Sequence, residues 1–340
     1  MISIIIPTYN RCIYLKRTLE SLFLQNISFE LFEIIIVDNG STDETSELVN
    51  RYVVENQGTR IYYFYDSQPG LLTGRHRGAN EAKGDILCFI DDDVELSPGW
   101  LSGIYESFER YPEVSLVTGP VLPKYEVYPP EWVNYFFSKT PYGGKECSWL
   151  SLIDLGELEH VIDPNYVWGL NFSIRKSDLI ELNGFHPDNI PKLYQMFQGD
   201  GESGLTMKAL KLGKKALYNP DVLLYHQIPA SRLTYEYFDK RAFYQGICNS
   251  FTNLRDDFFE QDRSLTNIRK VNFFMKLENI IVNKIKHSKV PPEIKKLFVR
   301  FKEKHIEGYE FHQKSFYENT MVKDWVLRNN YWDYKLPRHD

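Results

Sequence analysis

The stretch Ile2-Ser-Ile-Ile-Ile6 is an unbroken, mostly β-branched run that ends at Pro7, and a second run, Glu33-Ile-Ile-Ile-Val37, follows it. Short runs of this kind predict strands that are buried on both faces, as in a parallel sheet. The two runs are about one strand–helix–strand unit apart, and an approximate helical pattern over residues 12–25 fills the interval. A parallel pair joined by a helix is therefore predicted.

The alternation of strands and helices continues along the chain. The pattern predicts a helix near residues 42–56, a strand at Ile61–Tyr65, a helix near residues 73–83, a strand at Asp85–Ile90, a helix at residues 199–215 and a strand at Leu217–Tyr225. Residues 120–165 are proline-rich and irregular, and the chain beyond Leu233 is mainly helical. We expect an α/β fold with an open, mostly parallel sheet flanked by helices, divided into domains at residues 1–230 and 231–340.

The charge is unevenly distributed. The 340 residues carry 40 Lys and Arg against 46 Asp and Glu, a formal net charge of −6. Residues 261–340 hold 17 basic and 10 acidic side chains, so the first 260 residues are strongly acidic. An acidic body has no electrostatic reason to bind a polyanion, and we expect no nucleic-acid partner.

The cysteines and the apolar segments bear on the cellular location. Cys12, Cys88, Cys147 and Cys248 form no C-x-x-C pair, so neither a zinc site nor a disulfide framework is indicated. No segment approaches the roughly 20 apolar residues that cross a bilayer, and the N-terminal run is too short for a signal peptide. We expect a cytoplasmic protein, soluble or peripheral to the membrane.

Three carboxylates, Asp91-Asp92-Asp93, directly follow the predicted strand that ends at Ile90. Like charges this close raise one another's pKa unless a cation neutralises them. Oxygen ligands suit a hard divalent ion, and the first and third Asp can face the same ion. The sequence motif alone supports a metal site and a solvated acidic turn equally.

Two polar turns follow the first two predicted strands: Pro7-Thr8-Tyr9-Asn10 and Asp38-Asn39-Gly40-Ser41. Ligands gather at the carboxyl ends of parallel strands, where an Asp can accept from a base or a ribose and a Tyr can stack on the base. Ordinary turn chemistry explains the same residues. The chain has neither G-x-G-x-x-G after Ile6 nor a G-x-x-x-x-G-K-[ST] loop, so phosphates would be held by a metal and basic side chains.

Five motifs together resemble family 2 glycosyltransferases. They are Ile4-Ile-Ile-Pro-Thr-Tyr-Asn10, Ile36-Val-Asp-Asn-Gly-Ser-Thr-Asp43, Gly70-Leu followed by Arg75, Ala82-Lys-Gly-Asp85 and Phe89-Ile-Asp-Asp-Asp-Val94. The resemblance covers residues 1 to about 230. It implies a GT-A fold, a nucleotide-sugar donor and inversion at the anomeric carbon.

The resemblance also implies roles for individual residues. The donor would contact Pro7, Thr8, Tyr9, Asn10, Asp38, Arg75, Asp91 and Asp92, while Asp93, supported by Asp91 and His226, would hold Mn²⁺ or Mg²⁺. His226 could contact the diphosphate instead, and a lone His is also commonly structural. His76 departs from the family pattern, which more often has Asn after the Arg.

The sugar and acceptor side would be lined by Trp168, Gly169 and Asn171, although Trp168 could equally be a core aromatic residue. The family's catalytic base opens a helix, and Glu202 occupies that position with Gly201 in place of the usual preceding Glu. Asp200 is the alternative base. A purely structural explanation is that acidic residues are favourable in the first turn of a helix.

The predicted function is inverting sugar transfer from a nucleotide diphosphate donor to a hydroxyl of a glycan or lipid-linked acceptor, in surface polysaccharide synthesis. The preferred donor is a UDP-sugar, and thymidine is the second choice for the nucleoside of the donor. The alternatives are a sugar nucleotidyltransferase, disfavoured because Pro7–Asn10 replaces its glycine-rich loop, and a non-catalytic glycan-binding protein, disfavoured by the intact carboxylates.

A basic stretch lies near the C-terminus. Residues 269–304 carry 11 Lys and Arg against three Glu, interleaved with apolar helical faces at Phe274–Ile285 and Ile294–Phe301. Such a region can lie on anionic lipid, which would place the protein peripherally at the inner face of the membrane. It could equally attract an acidic acceptor or be an ordinary solvated helix face.

Overall fold

The computed structural model describes residues 1–260 and 290–337. Within them the chain forms two sheets flanked by helices. The strands are β1 Ile2–Thr8, β2 Phe32–Asp38, β3 Arg60–Tyr65, β4 Ile86–Ile90, β5 Val94–Leu96, β6 Val114–Thr118, β7 Val121–Tyr125, β8 Ser138–Lys139, β9 Lys145–Cys147, β10 Leu152–Asp154, β11 His160–Ile162, β12 Asn171–Arg175, β13 Lys215–Tyr218 and β14 Leu224–Ile228. The helices are α1 Cys12–Leu22, α2 Thr45–Glu55, α3 Leu71–Glu81, α4 Trp100–Arg110, α5 Lys176–Glu181, α6 Glu202–Lys211, α7 Tyr235–Glu260, α8 Pro292–Glu318 and α9 Thr320–Val326.

The larger sheet has eight strands in the order β11-β13-β6-β12-β4-β1-β2-β3. β1 lies between β2 and β4 in parallel register with both, and β2 pairs in parallel with β3. Every residue of β1, β2 and β4 is buried, as their apolar runs predict. The predicted open, mostly parallel sheet is confirmed, and the carboxyl ends of β1, β2 and β4 meet at one edge.

Helix α3 packs closely on β1 because it presents two glycines to the strand. A Cβ added at Gly74 would lie 2.5 Å from Cβ of Pro7, and one at Gly78 would lie 2.3 Å from Cγ2 of Ile5. Glycines four residues apart share one helix face, so no side chain separates helix and strand. This contact brings Arg75, which follows Gly74, to the carboxyl end of β1.

The second sheet has the order β5-β14-β7-β10-β9-β8 and was not predicted. The prediction of a single strand at Leu217–Tyr225 is wrong, because the chain turns between β13 and β14, where the Asn219 side chain accepts from the Asp221 amide at 2.9 Å. In β14, His226 lies opposite Val94 of β5. The short strand after Asp93 therefore places His226 beside the aspartates.

The described C-terminal region is helical, as predicted. Helices α7 and α8 pack along each other, and their closest approach is at Gly246 and Gly308. No helix in the described ranges is both long and apolar enough to cross a membrane. The predicted apolar face at Phe274–Ile285 lies outside the described residues, whereas Ile294, Phe298 and Phe301 of the other predicted face are buried.

Candidate active site

Asp92 and Asp93 are buried at the carboxyl end of β4. Thr8, at the end of β1, donates its hydroxyl to Oδ2 of Asp92 at 2.8 Å. Arg11 lies 3.1 Å from Oδ1 of Asp92 and donates to Oδ2 of Asp93 at 2.7 Å. Burial raises the pKa of Asp92 to about 7. The positive charge of Arg11 opposes this rise, whereas repulsion from Asp93 adds to it.

Asp93 is the most strongly paired carboxylate of the three. Its Oδ2 also accepts from Arg232 at 2.8 Å and lies 3.4 Å from Nε2 of His226. Burial alone would raise the pKa of Asp93, but His226, Arg232 and Arg11 hold it well below its usual range. Asp93 is therefore an anion in the protein interior, with Oδ2 crowded by donors.

The tautomer of His226 follows from its contacts. Its Nδ1 lies 2.9 Å from the carbonyl oxygen of Leu150, which can only accept, so Nδ1 is the donor. Nε2 is directed toward Oδ2 of Asp93, 3.4 Å away, and also contacts the guanidinium of Arg232. A His that is fixed through Nδ1 and presents Nε2 next to a carboxylate has the arrangement of a metal-ligating imidazole.

We tested whether these residues fit a divalent metal. Oδ1 of Asp93 is buried and has no hydrogen-bond partner among the described residues. Carboxylate oxygens with one imidazole nitrogen are ligands that suit Mn²⁺ and Mg²⁺. Over residues 1–260 and 290–337, however, no group of three or more His, Cys, Asp or Glu is arranged to hold a metal as it stands. The donor types fit, and Arg11 and Arg232 lie against the carboxylate that a metal would use.

Glu202 is the first residue of α6. Burial and repulsion from Asp93 raise the pKa of Asp91, and the charge of Glu202 contributes in the same direction, so Glu202 lies near the aspartates. Its Oε2 lies 3.1 Å from Nη1 of Arg75, and its Oε1 accepts from the Gly169 amide at 3.3 Å. Burial would raise the pKa of Glu202, but the charge of Arg75 and these hydrogen bonds lower it overall. With 26% of its side chain exposed, Glu202 is an ionised carboxylate that solvent can reach.

Asp200, the alternative base, is bound on both oxygens. Oδ1 lies 2.5 Å from Nδ1 of His186, and Oδ2 accepts from the hydroxyl of Thr252 at 2.7 Å. The side chain is only 4% exposed. This geometry favours Glu202 over Asp200 as the group that meets a substrate.

Asp188 is a carboxylate near Glu202 that the sequence analysis missed. It accepts from the Asn189 amide and from the side chain of Gln198. Burial, together with repulsion from Glu202, raises the pKa of Asp188 to about 6. It lies in a loop with no periodic pattern, so the sequence offered no signal for it.

The predicted donor residues on β1 and β2 meet at the sheet edge. Asp38 is buried, and its oxygens accept from the Ser41 amide and the Tyr63 hydroxyl, each at 2.7 Å. Asn10 accepts from the Thr42 amide at 2.7 Å and so joins the two loops. Tyr9 is 57% exposed and Pro7 is buried under α3. Only Tyr9 presents a large free surface.

The three residues predicted for the sugar and acceptor side separate in the structure. Gly169 touches the Arg75–Glu202 pair, and Trp168 is half-buried beside it. Asn171 is fully buried, and its amide group bonds Trp100, Gly119 and Val222. Its prediction as a pocket residue is corrected: Asn171 ties strand β12 to its neighbours.

Two arginines at the site were also missed. Arg11 directly follows the Pro7–Asn10 motif, which was a usable signal. Arg232 lies 139 residues from Asp93 in the sequence, so only the pairing of β14 with β5 reveals the contact.

Part of the chain matches a known protein family. Residues 3–154 match the family model described as Glycosyl transferase family 2. The chain is 23% identical to a glucosyl-dolichyl phosphate glucuronosyltransferase of Haloferax volcanii, over 74% of this chain and 77% of that protein. It is 27% identical to a validoxylamine A glucosyltransferase of Streptomyces hygroscopicus subsp. jinggangensis, over 55% of this chain but only 47% of that protein.

Among solved structures, a mannosyltransferase from Pyrobaculum calidifontis in complex with GDP-Man and Mn²⁺ is similar with a TM-score of 0.52 and 15% identity. The match covers 94% of this chain and 74% of that one. This likeness supports the GT-A fold.

Proposed function

We propose, from the premise that this chain belongs to glycosyl transferase family 2, that it moves a sugar from a nucleotide diphosphate donor to a hydroxyl of an acceptor, with inversion. The observation that carries the proposal is that Glu202 is ionised and partly exposed, and that its charge acts on Asp91. An acceptor between Glu202 and a donor on the aspartates would have a base on one side and the anomeric carbon on the other.

The donor would lie at the edge formed by β1, β2 and β4. Tyr9 offers an exposed ring for the base, and Asp38 and Asp92 offer carboxylate oxygens for the nucleoside. Arg11 and Arg232 are the cations nearest to Asp93, and we propose that they turn to the diphosphate when the donor binds. Their guanidinium groups then offset the charge on the departing nucleotide.

Asp93, Asp91 and His226 would hold Mn²⁺ or Mg²⁺ through the unpartnered Oδ1 of Asp93 and Nε2 of His226. Such an ion, when bound, supplies Lewis-acid stabilisation of the leaving diphosphate. The related mannosyltransferase was solved with Mn²⁺, which supports this choice of ion.

Glu202 would accept the proton of the attacking hydroxyl. In the structure it is paired with Arg75, which lowers its basicity. If Arg75 turns to the donor phosphates, the pair separates and Glu202 becomes a stronger base once the donor is in place. The same movement would couple donor binding to activation of the acceptor.

The donor preferred by family likeness is a UDP-sugar. The acceptor class we propose is a glycan or a lipid-linked glycan, and the Haloferax relative, a glucosyl-dolichyl phosphate glucuronosyltransferase, supports the lipid-linked choice. We extend this to surface polysaccharide synthesis and to peripheral contact with an anionic inner membrane face.

The test is a panel of UDP-, GDP- and dTDP-sugars scored for nucleotide release, with and without Mn²⁺. We expect release from a UDP-sugar that requires the metal and rises with acceptor. Glu202→Gln should retain donor affinity while turnover falls on the order of 10²–10⁴-fold, as for loss of a general base.

Two variants sharpen this result. Glu109→Gln, an exposed carboxylate on α4, is the matched control and should leave turnover unchanged. Asp200→Asn should lower stability more than turnover per folded molecule, because Asp200 bonds His186 and Thr252. Full turnover in Glu202→Gln would contradict the assignment of the base.

A further inference from the structure

Helix α7 presents one face to the loop just before Glu202, the first residue of α6. Cys248 donates its thiol to the carbonyl oxygen of Gly199 at 3.0 Å, and the hydroxyl of Thr252 bonds Asp200. Arg241 precedes these two residues by seven and eleven positions, which places it on the same helix face. It therefore lies about 10 Å from Cys248 toward the start of α7.

Arg241 differs from the other arginines of the site. Arg11, Arg75 and Arg232 each lie within 4 Å of a carboxylate, whereas Arg241 has no such partner among the described residues. Its one hydrogen bond in the described chain is a long one, 3.5 Å from Nη2 to the carbonyl oxygen of Ser148. Arg241 is half-buried, and its guanidinium has further donors that bond nothing in the described part of the chain.

The surroundings of Arg241 favour its charged form. Burial would lower the pKa of Arg241, but Tyr237, Asp188, Cys248 and Glu202 outweigh burial and raise it. The guanidinium is thus a cation that contacts the backbone at Ser148 and lies within electrostatic reach of Asp188 and Glu202. A partly buried cation with free donors is suited to bind an oxyanion.

The position of Arg241 is rigid. On the same helix, the Phe238 ring stacks on Trp149 with centroids 5.3 Å apart and planes 9° apart. Gly246 allows α7 to contact α8 so closely that an added Cβ would lie 2.0 Å from the His305 carbonyl oxygen. A helix held at both places keeps Arg241 preorganised, which reduces the entropy lost on binding.

We propose that Arg241 binds a phosphate group carried by the acceptor, next to the hydroxyl that Glu202 activates. This inference rests on the proposed function and adds the acceptor class, a phosphate-bearing lipid or glycan. The planar guanidinium matches two phosphate oxygens at once, which a neutral acceptor would not use. The negative charges of Asp188 and Glu202 would repel an anionic acceptor that did not contact Arg241.

The test is calorimetric titration of the full chain with octyl phosphate, in the presence of saturating UDP and Mn²⁺ so that the donor phosphate positions are filled. We expect Arg241→Gln to bind octyl phosphate at least about 10-fold more weakly, as for loss of a hydrogen bond to a charged group. Arg241→Lys should lose less, because it keeps the charge. Arg51→Gln, an exposed arginine of α2, is the matched control and should bind like the wild type.

Each outcome is informative. Equal affinity of octyl phosphate for wild type and Arg241→Gln would overturn the inference, as would an equal loss of UDP affinity, which would place Arg241 on the donor side. Inorganic phosphate that binds as tightly as octyl phosphate, and with the same dependence on Arg241, would indicate a free-anion site and overturn the acceptor assignment. Failure of UDP to bind the wild type would instead count against the proposed function itself.

Discussion

Gly169 illustrates how a single atom constrains the candidate site. A Cβ at this position would lie 2.2 Å from Nη2 of Arg75 and 3.0 Å from Cδ of Glu202. Both neighbours are side chains to which we assign a role, and Arg75 is only 3% exposed. The absence of a side chain at Gly169 is therefore part of the geometry that pairs the proposed base with its arginine.

We predict that Gly169→Ala reduces turnover by about 10²-fold or more, because displacement of a reacting group by about 1 Å has an effect of that size. Steady-state kinetics with a saturating donor measure it. Gly58→Ala is the control, since an added Cβ there meets nothing within 4 Å. Wild-type turnover in Gly169→Ala would mean that the Arg75–Glu202 pair is not needed in its present position.

The predictability of individual residues depended on local signals. Asp91–Asp93 and Glu202 were identifiable because each sits at the end of a predicted element within a motif. Arg232 and Arg241 carry no such signal, because a single arginine in a loop or on a helix is usually solvated. Asn171 was predicted to line the sugar and acceptor side because motif resemblance cannot distinguish a side chain that lines a pocket from one that bonds three buried groups.

At the scale of elements, the crossing of α7 and α8 depends on two glycines. An added Cβ at Gly308 would lie 2.0 Å from the carbonyl oxygen of Phe243, and Gly246 makes the equivalent approach to His305. The helix backbones are thus in direct contact. This contact fixes α7 and therefore also fixes the α7 residues that contact the loop before Glu202.

We predict that Gly308→Ala destabilises the protein although Ala is the better helix former. Ala gains roughly 1 kcal/mol in helix propensity, whereas overpacking typically costs 1–3 kcal/mol and the backbone carbonyl cannot move aside alone. Urea unfolding should show a lower free energy of unfolding. Ser315→Ala, at a half-buried position of α8, should not lower it as much, and a more stable Gly308→Ala would contradict the close contact.

Elements were predictable where the apolar pattern was long enough. The strands β1, β2 and β4 are five to seven residues long, buried on both faces, and were predicted. The second sheet was missed because β5, β8, β9 and β10 have only two or three residues, too few to show a period of two. Their pairing is set by tertiary contacts rather than by local preference.

At the scale of the whole molecule, the C-terminal segment returns to the first sheet. His76 of α3 lies 2.8 Å from the carbonyl oxygen of Tyr331 and stacks on Trp332, with ring centroids 4.4 Å apart. Tyr334 donates its hydroxyl to Asp66 at 2.8 Å. The proposed division into domains at residues 230 and 231 stays a prediction. These contacts also explain why His76 departs from the family pattern: its imidazole anchors the last described segment of the chain.

The ring of His76 is held in one protonation state. Nε2 accepts from the Phe185 amide at 2.9 Å, so Nδ1 is the nitrogen that donates to Tyr331. A protonated ring would present a second donor to the amide and lose this bond. Burial lowers the pKa of His76 from 6.5 to about 3, and the nearby Arg75 and His186 act in the same direction. The hydrogen bond to Tyr331 opposes them.

We predict that His76 makes the protein less stable as the pH falls from about 6.5 toward 3. In this range the unfolded chain binds a proton at His76 that the folded chain does not, so the free energy of unfolding decreases by up to about 1.4 kcal/mol per pH unit from this group. Other buried groups also titrate here, and therefore the measurement is the difference between wild type and His76→Asn in urea unfolding from pH 7 to pH 4. The Asn amide can still donate to Tyr331 but does not titrate, so the variant should be less stable at pH 7, where the Phe185 amide loses its partner, and should lose less stability in acid. Parallel curves for the two proteins would show that His76 is not held neutral by this anchor.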